Sequence, residues 1–385
     1  MSHQTPSLLD RYLKHVALET ITPQLTKPVG VVPTEDYMTE MGYQRLGWRA
    51  LRRRLIFASS GQAKSKLDSL ALVGKRGLWL YFGEGQMGDA LMDLAPRSLL
   101  KDEGFRMDLL TDKFIAHVFQ NDPWFENVTD DASSLTEVPY DFAIVLSNKR
   151  RSLQHKRKYF RNLPWVSLLE SFSGPDYHRA GYVTQRLSDL LSLDLTPAEF
   201  SRHACQKLKT QMTSDDFQSQ TSEVKNAIGL CLGGVDPLRT YTGWSSVISE
   251  LIQRGNHEFL LVGSGNGLAE AQRLQKQFRN SVRLHDYVGK CSIAQSHDLL
   301  AAAKGVICAD GGLMHLAATT STPMVGLFSS SIRPEWRLPS RPTVAFACAS
   351  SADVNDIAPH EIAEKTCYVT DQLTIDQAAL YLDGV

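Results

Sequence analysis

The sequence predicts an α/β protein of two Rossmann-like units facing across a cleft, preceded by a mainly helical segment. Three observations predict it. Short apolar runs with the length of buried strands alternate with stretches of helical spacing, which implies parallel sheets with right-handed crossovers. The alternation occurs twice, once from residue 77 and again from residue 226, with a polar stretch at 210–223 between. Each half opens on a strand followed by a glycine turn, Gly83-Glu-Gly85-Gln-Met-Gly88 in the first and Gly233-Gly234 in the second. Two such units place a ligand cleft between them.

The 385 residues suffice for two domains with sizeable cores, and the balance of 43% hydrophobic, 22% charged and net charge −1 excludes wholesale disorder. Near-neutrality gives no global drive toward nucleic acid. No run approaches the roughly 18 apolar residues of a membrane span, and the first residues lack a basic-then-apolar leader pattern. The expected location is cytoplasmic. Six scattered cysteines form no Cys-x-x-Cys pair, so neither a zinc site nor a disulfide framework is expected. Cys231 and Cys308 fall inside apolar runs and read as small core residues.

Taken in order, residues 7–18 have helical spacing and 23–33 form a proline-punctuated connection. Residues 43–56 carry Arg45, Arg49, Arg52, Arg53 and Arg54 beside Trp48, Leu51 and Leu55 on one face. This basic amphipathic helix either packs on the body with a solvated basic face or meets an anionic membrane surface or acidic acceptor. The first α/β unit then runs strand 78–82, glycine turn, helix 90–100, strand 106–110, helix 114–120 and strand 142–146. A basic stretch, residues 148–161, follows at the carboxyl edge of the expected sheet. It suits either a phosphorylated or carboxylated partner or a solvated face. Residues 182–193 read as a leucine-rich helix.

After the polar linker at 210–223, strand 226–232, helix 244–254, strand 259–262 with its Gly263-Ser-Gly265 turn, and helix 268–278 make a second unit. Its centre is Ala309-Asp310-Gly311-Gly312-Leu313-Met314-His315, between a strand at 304–308 and another at 322–328. A strand-to-helix turn with two glycines lets backbone approach a ligand, and a helix start favours a phosphate. The plainer reading is a βα turn capped by Asp310. A last helix is expected at 375–382.

Gly83-x-Gly85-x-x-Gly88, between strand and helix, matches a dinucleotide fingerprint, with Asp112 placed as a ribose carboxylate. An NAD-dependent oxidoreductase is therefore one reading. Asp89 argues against it, because a carboxylate at that helix start would repel a pyrophosphate. Asp89 instead suits a general base acting on a hydroxyl, or serves only as a cap.

Gly88-Asp89-Ala-Leu-Met-Asp-Leu-Ala-Pro96 after a first strand resembles the opening motif of glycosyltransferase family 9, the bacterial heptosyltransferases. About 220 residues later, Asp310-Gly-Gly-Leu-Met-His315-Leu-Ala-Ala318 followed by Thr322-Pro-Met-Val-Gly-Leu-Phe328 resembles that family's donor-site motif. The resemblance spans residues 77–382. It implies a GT-B fold and inverting transfer of heptose from ADP-heptose to a lipopolysaccharide or lipooligosaccharide core. Asp89 falls on the general base. Asp310, Gly311, Gly312, Leu313 and His315 fall on the donor loop, and Arg239 and Tyr241 lie near a Lys-x-Trp that contacts donor phosphate. Gly263 completes the donor-binding candidates. Gly88, Lys149, Arg150, Arg151, Lys156 and Arg157 are the acceptor-binding candidates. Cys348 and Cys367 resemble remnants of the cysteines that the family often carries near its C-terminus. The implied partners are the nucleotide sugar and an anionic glycolipid, with peripheral contact at the inner membrane, no nucleic acid, and no metal or cofactor required. A non-catalytic nucleotide-sugar-binding scaffold is the other reading. The expected domains are a helical extension at 1–75, an acceptor-binding domain at 76–209, the linker at 210–223, and a donor-binding domain at 224–385.

Overall fold

The structure, a computed structural model, describes residues 7–31, 33–71, 74–82, 85–148, 150–209 and 215–371. It divides into two compact units: residues 1–85 with 92–205, and residues 86–91 with 206–385.

The first unit begins with helices α1 (Leu8–Ile21), α2 (Thr34–Met41) and α3 (Tyr43–Ser59). Ser7 caps α1 by accepting from the Asp10 amide. α1 and α3 lie side by side and parallel: Tyr43 and Gln44 each donate to Asp10 at 3.2 Å, and Arg54 pairs with Glu19. Gly47 permits this approach, since a Cβ there would come within 2.6 Å of the Leu13 carbonyl oxygen. The helices are tied to the rest of the unit. The Ser173 amide donates to the Thr20 carbonyl, and Phe57 sets its ring edgewise on Trp165.

A parallel sheet follows, from β1 (Arg76–Tyr81), β2 (Arg106–Thr111), β3 (Asn127–Thr129), β4 (Phe142–Val145) and β5 (Trp165–Ser167), in spatial order β3-β2-β1-β4-β5. Its crossovers include α4 (Met87–Asp93), α5 (Arg97–Asp102), α6 (Lys113–Phe119) and α7 (Arg150–Tyr159). Helices α8 (Arg179–Leu191) and α9 (Pro197–Ala204) end the unit. The expected helix over 90–100 is two helices. Pro96 has no amide to donate and stands at the start of α5, so the backbone resets there. Arg97, fully buried, then reaches Asp122 with three hydrogen bonds of 2.6–3.0 Å.

The second unit contains α10 (Asp215–Glu223), β6 (Ile228–Leu232), α11 (Trp244–Gln253), β7 (Glu258–Gly263), α12 (Leu268–Phe278), β8 (Arg283–Asp286) and α13 (Ile293–Ala302). It continues through β9 (Gly305–Ala309), α14 (Gly312–Ala318), β10 (Met324–Phe328), β11 (Val344–Cys348) and α15 (Pro359–Asp371). All its strands are parallel, in order β11-β10-β9-β6-β7-β8. Much of the polar stretch expected as a linker is α10, whose Phe217 is buried; residues 210–214 lie outside the described residues. So do residues 375–382, the expected last helix.

In each sheet the strand order reverses beside the strand that opens the unit, between β1 and β4 and between β6 and β9. Ligands of open α/β sheets bind outside the carboxyl ends of the strands at such a reversal. That topology places the β6 and β9 loops together, although some 75 residues separate them.

Candidate functional site

At the reversal of the second sheet, Cys231 of β6 stands opposite Cys308 of β9, their sulfurs 2.8 Å apart and both buried. Burial and the neighbouring Cys231 thiol push the Cys308 thiol well above its ordinary range. These two strands launch the loops that carry the chemistry. Gly233 has φ +89°, and at Gly234 a Cβ would lie 2.1 Å from Thr240 Oγ1, so the first loop turns tightly enough to need both glycines. Asp236 caps the following short turn by accepting from the Leu238 amide.

That turn presents Arg239 to the second loop. Its Nε donates to Asp236 at 3.3 Å and its Nη1 to Asp310 at 3.2 Å. The Arg239 side chain is 44% exposed and that of Asp310 only 5%. Asp310 Oδ1 also lies 3.9 Å from His315 Nε2, and His315 Nδ1 is 2.9 Å from Gln206 Oε1. Gln206 donates from its amide nitrogen to the Arg337 carbonyl. The site is thus a chain of polar groups, Arg239, Asp310, His315 and Gln206, with its cation at the solvent end. Gln206, Asp236 and Arg337 were not candidates from sequence. Asp236-Pro237 carried a turn signal that could have marked the first loop, whereas nothing around Gln206 distinguishes it from any other exposed-looking glutamine.

Gly311 and Gly312 have room beside them. A Cβ on Gly311 would meet nothing closer than the Ala309 carbonyl oxygen at 3.9 Å, and one on Gly312 nothing closer than the Met87 methyl at 3.4 Å. Packing within the protein does not demand glycine at either position, so bare backbone there leaves open space at the head of α14. Leu313, second in that helix, is half-buried. Gly263 differs, since a Cβ would strike the Leu232 carbonyl oxygen at 2.6 Å, so packing alone accounts for it.

The segment 86–91, which opens α4, belongs to this same unit. Gly88 is buried against His315: a Cβ there would come within 2.4 Å of Cδ2 of the ring. The two motifs, remote in sequence, therefore meet. Asp89 follows in the first turn of α4, half-buried.

Other expectations are corrected. Tyr241 is not presented to a ligand; it is buried, sets its ring edgewise on Trp244, and donates to the Ile357 carbonyl. Lys156 is not on the open face of the basic stretch. It is fully buried within α7, its ammonium donating to Gln62 Oε1 at 2.6 Å and to the Phe160 and Arg161 carbonyls. Loss of hydration lowers its pKa to about 8. Arg150, Arg151 and Arg157 of α7 are exposed, with Arg151 3.3 Å from Asp112. That pairing engages the carboxylate which a dinucleotide ribose would need. Lys149 and Gly83 lie outside the described residues. Among the described residues no cluster of three His, Cys, Asp or Glu side chains is placed to hold a metal ion, and no helix is long and apolar enough to cross a membrane.

Two parallel-sheet units, the second with a polar loop cluster at its sheet reversal, define a GT-B architecture. Residues 178–358, a little under half of the chain, match the model of glycosyltransferase family 9 (heptosyltransferase), a span that takes in the second of the two motifs. The fold is shared with a family 9 glycosyl transferase from Veillonella parvula, at TM-score 0.60 and 14% identity, covering 80% of this chain and 100% of that one. It is shared with the E. coli ADP-heptose lipopolysaccharide heptosyltransferase II, at TM-score 0.57 and 17% identity over 77% and 99%. It is shared also with E. coli heptosyltransferase WaaC with ADP, at TM-score 0.54 and 15% identity over 75% and 98%. No curated protein matches the sequence.

Proposed function

We propose that this chain is a glycosyltransferase that moves a heptose or related sugar from ADP-heptose to a hydroxyl of an anionic lipopolysaccharide or lipooligosaccharide core, inverting the anomeric carbon. The observation that carries the reading is the apposition of Gly88-Asp89 to the Asp310–His315 loop. A carboxylate and an open, glycine-lined loop at a sheet reversal are what a hydroxyl nucleophile and a nucleotide donor require together. The family 9 match and the donor named for the E. coli enzymes support the choice of sugar nucleotide.

In this reading Asp89 takes the acceptor proton as the oxygen bonds to the anomeric carbon. The bond from that carbon to the β-phosphate oxygen breaks, and ADP leaves with the electron pair. Arg239 and the amides at Gly311 and Gly312 stabilise the departing charge. Arg239 Nη2 has no protein partner among the described residues, so a phosphate oxygen can join without displacing either carboxylate. His315, fixed by Gln206, orients the loop. The exposed Arg150, Arg151 and Arg157 hold the anionic acceptor. The reaction needs no resident metal or cofactor.

The test is Asp89→Asn, assayed for transfer from ADP-heptose with and without EDTA, beside calorimetric titration with ADP, GDP, UDP and NAD. The expected result is loss of turnover by at least about 100-fold, unchanged ADP affinity, and parental activity that survives EDTA. Preference for GDP or UDP would change the sugar nucleotide. Tight NAD binding with weak ADP binding would favour the oxidoreductase reading, and nucleotide binding without any transfer the scaffold.

A further inference from the structure

We propose that the outward side of helix α3 forms a docking surface for a bilayer rich in anionic phospholipids. At about 100° per residue, Leu46, Gly47 and Ala50 of α3 form one side, which is buried. Arg45, Trp48, Arg52 and Leu55 form the opposite side. That outer stripe alternates cation and apolar group. Trp48 is 57% exposed and Leu55 70% exposed, an arrangement that burial against the protein does not explain. The sequence grouped Trp48, Leu51 and Leu55 on one face and left open whether that face packs on the body or meets an anionic surface. The structure packs α3 through Leu46, Gly47 and Ala50, with Gly47 letting α1 approach, and leaves Trp48 and Leu55 outward.

Charge selects the occupant. α3 holds five arginines and no acidic residue in its 17 positions. Arg54 is engaged by Glu19, whereas no carboxylate among the described residues pairs with Arg45, Arg49 or Arg52. A tryptophan and a leucine at the depth of lipid headgroups, flanked by arginines that reach phosphates, match the interfacial boundary of an anionic membrane. A protein partner with an acidic apolar face would gain less, because the stripe is convex and one helix wide. The inference stands on this surface alone and is independent of the donor chemistry.

The test is cosedimentation of the full chain with phosphatidylcholine vesicles, alone or mixed with phosphatidylglycerol. Three variants are compared: Arg45→Glu/Arg52→Glu, Trp48→Ser/Leu55→Ser, and the charge-matched control Lys276→Glu/Arg279→Glu, whose residues are exposed on the second unit. Circular dichroism melting confirms that each is folded. The expected result is binding to the mixed vesicles only, weakened by salt. Binding drops at least about tenfold for either stripe variant and is unchanged for the control. Failure to bind mixed vesicles, equal binding to neutral ones, or undiminished binding by either stripe variant would overturn the proposal. So would a self-association, seen by sedimentation equilibrium without vesicle binding, that the same substitutions abolish.

Discussion

Gly88→Ala is expected to damage the site out of proportion to its size. The added methyl would lie 2.4 Å from Cδ2 of His315, a full ångström inside the 3.4 Å at which ordinary contact begins. The ring cannot move away freely. It is buried, and its Nδ1 is held 2.9 Å from Gln206 Oε1. Either the imidazole leaves Gln206 or the first turn of α4 shifts. Overpacking of this kind costs about 1–3 kcal/mol, which lowers the melting temperature by roughly 2–4 °C per kcal/mol in a unit of this size. Because Asp89 is the next residue, a shift of α4 also moves the proposed base. A displacement near 1 Å costs about 100-fold in rate. The assay combines melting, turnover with ADP-heptose, and a double-mutant cycle with His315→Ala, which removes the ring. The cycle is read in stability, since His315→Ala has its own effect on the donor loop. Gly88→Ala should destabilise the parent clearly and the His315→Ala background little. Parental stability and turnover in Gly88→Ala, or an equal penalty in both backgrounds, would refute the apposition of the two motifs.

Arg239→Ala should weaken ADP binding about tenfold or more by calorimetry, because a charge-assisted hydrogen bond to phosphate is lost. Arg239→Lys should recover only part of it, since the two carboxylates at Nε and Nη1 use the guanidinium fork; unchanged ADP affinity in Arg239→Ala would remove this residue from the donor site. Lys156 titrates near pH 8 when folded and near 10.4 when unfolded, so between those values the unfolded chain binds more protons. The stability contributed by this position therefore rises as pH climbs through that window, and denaturant melts at pH 7, 8.5 and 10 should show the parent gaining on Lys156→Met. A difference independent of pH would show that burial does not depress this lysine.

Much of the fold was legible because strand and helix periods are local. Residues 78–82, 106–110, 226–232 and 259–262 were short apolar runs bounded by glycine or charge, and each lies on a strand of the structure. The weak elements escaped for the same reason. β3 and β5 are three residues long, too short to display a period, and β8 carries Arg283, His285 and Asp286 at a sheet edge where apolar residues are not required. Helix 90–100 was misjudged because its apolar spacing continues through Pro96 while its backbone does not.

The sequence by itself determined the class: two parallel α/β units, the glycine turns after their opening strands, and two motifs resembling family 9, the second of which lies within the span that matches that family's model. These depend on which residue follows which. Tertiary structure alone decided which polar groups act together. Arg239 reaches Asp310 because the strand order reverses between β6 and β9, and His315 meets both Gly88 and Gln206 because of how the chain packs around α14. It also decided which charges and apolar groups face water. Lys156 is buried while Arg151 beside it in the basic run is exposed, and Trp48 points outward while Gly47 packs inward. A helix sequence shows two faces, and only its neighbours select the one that is covered.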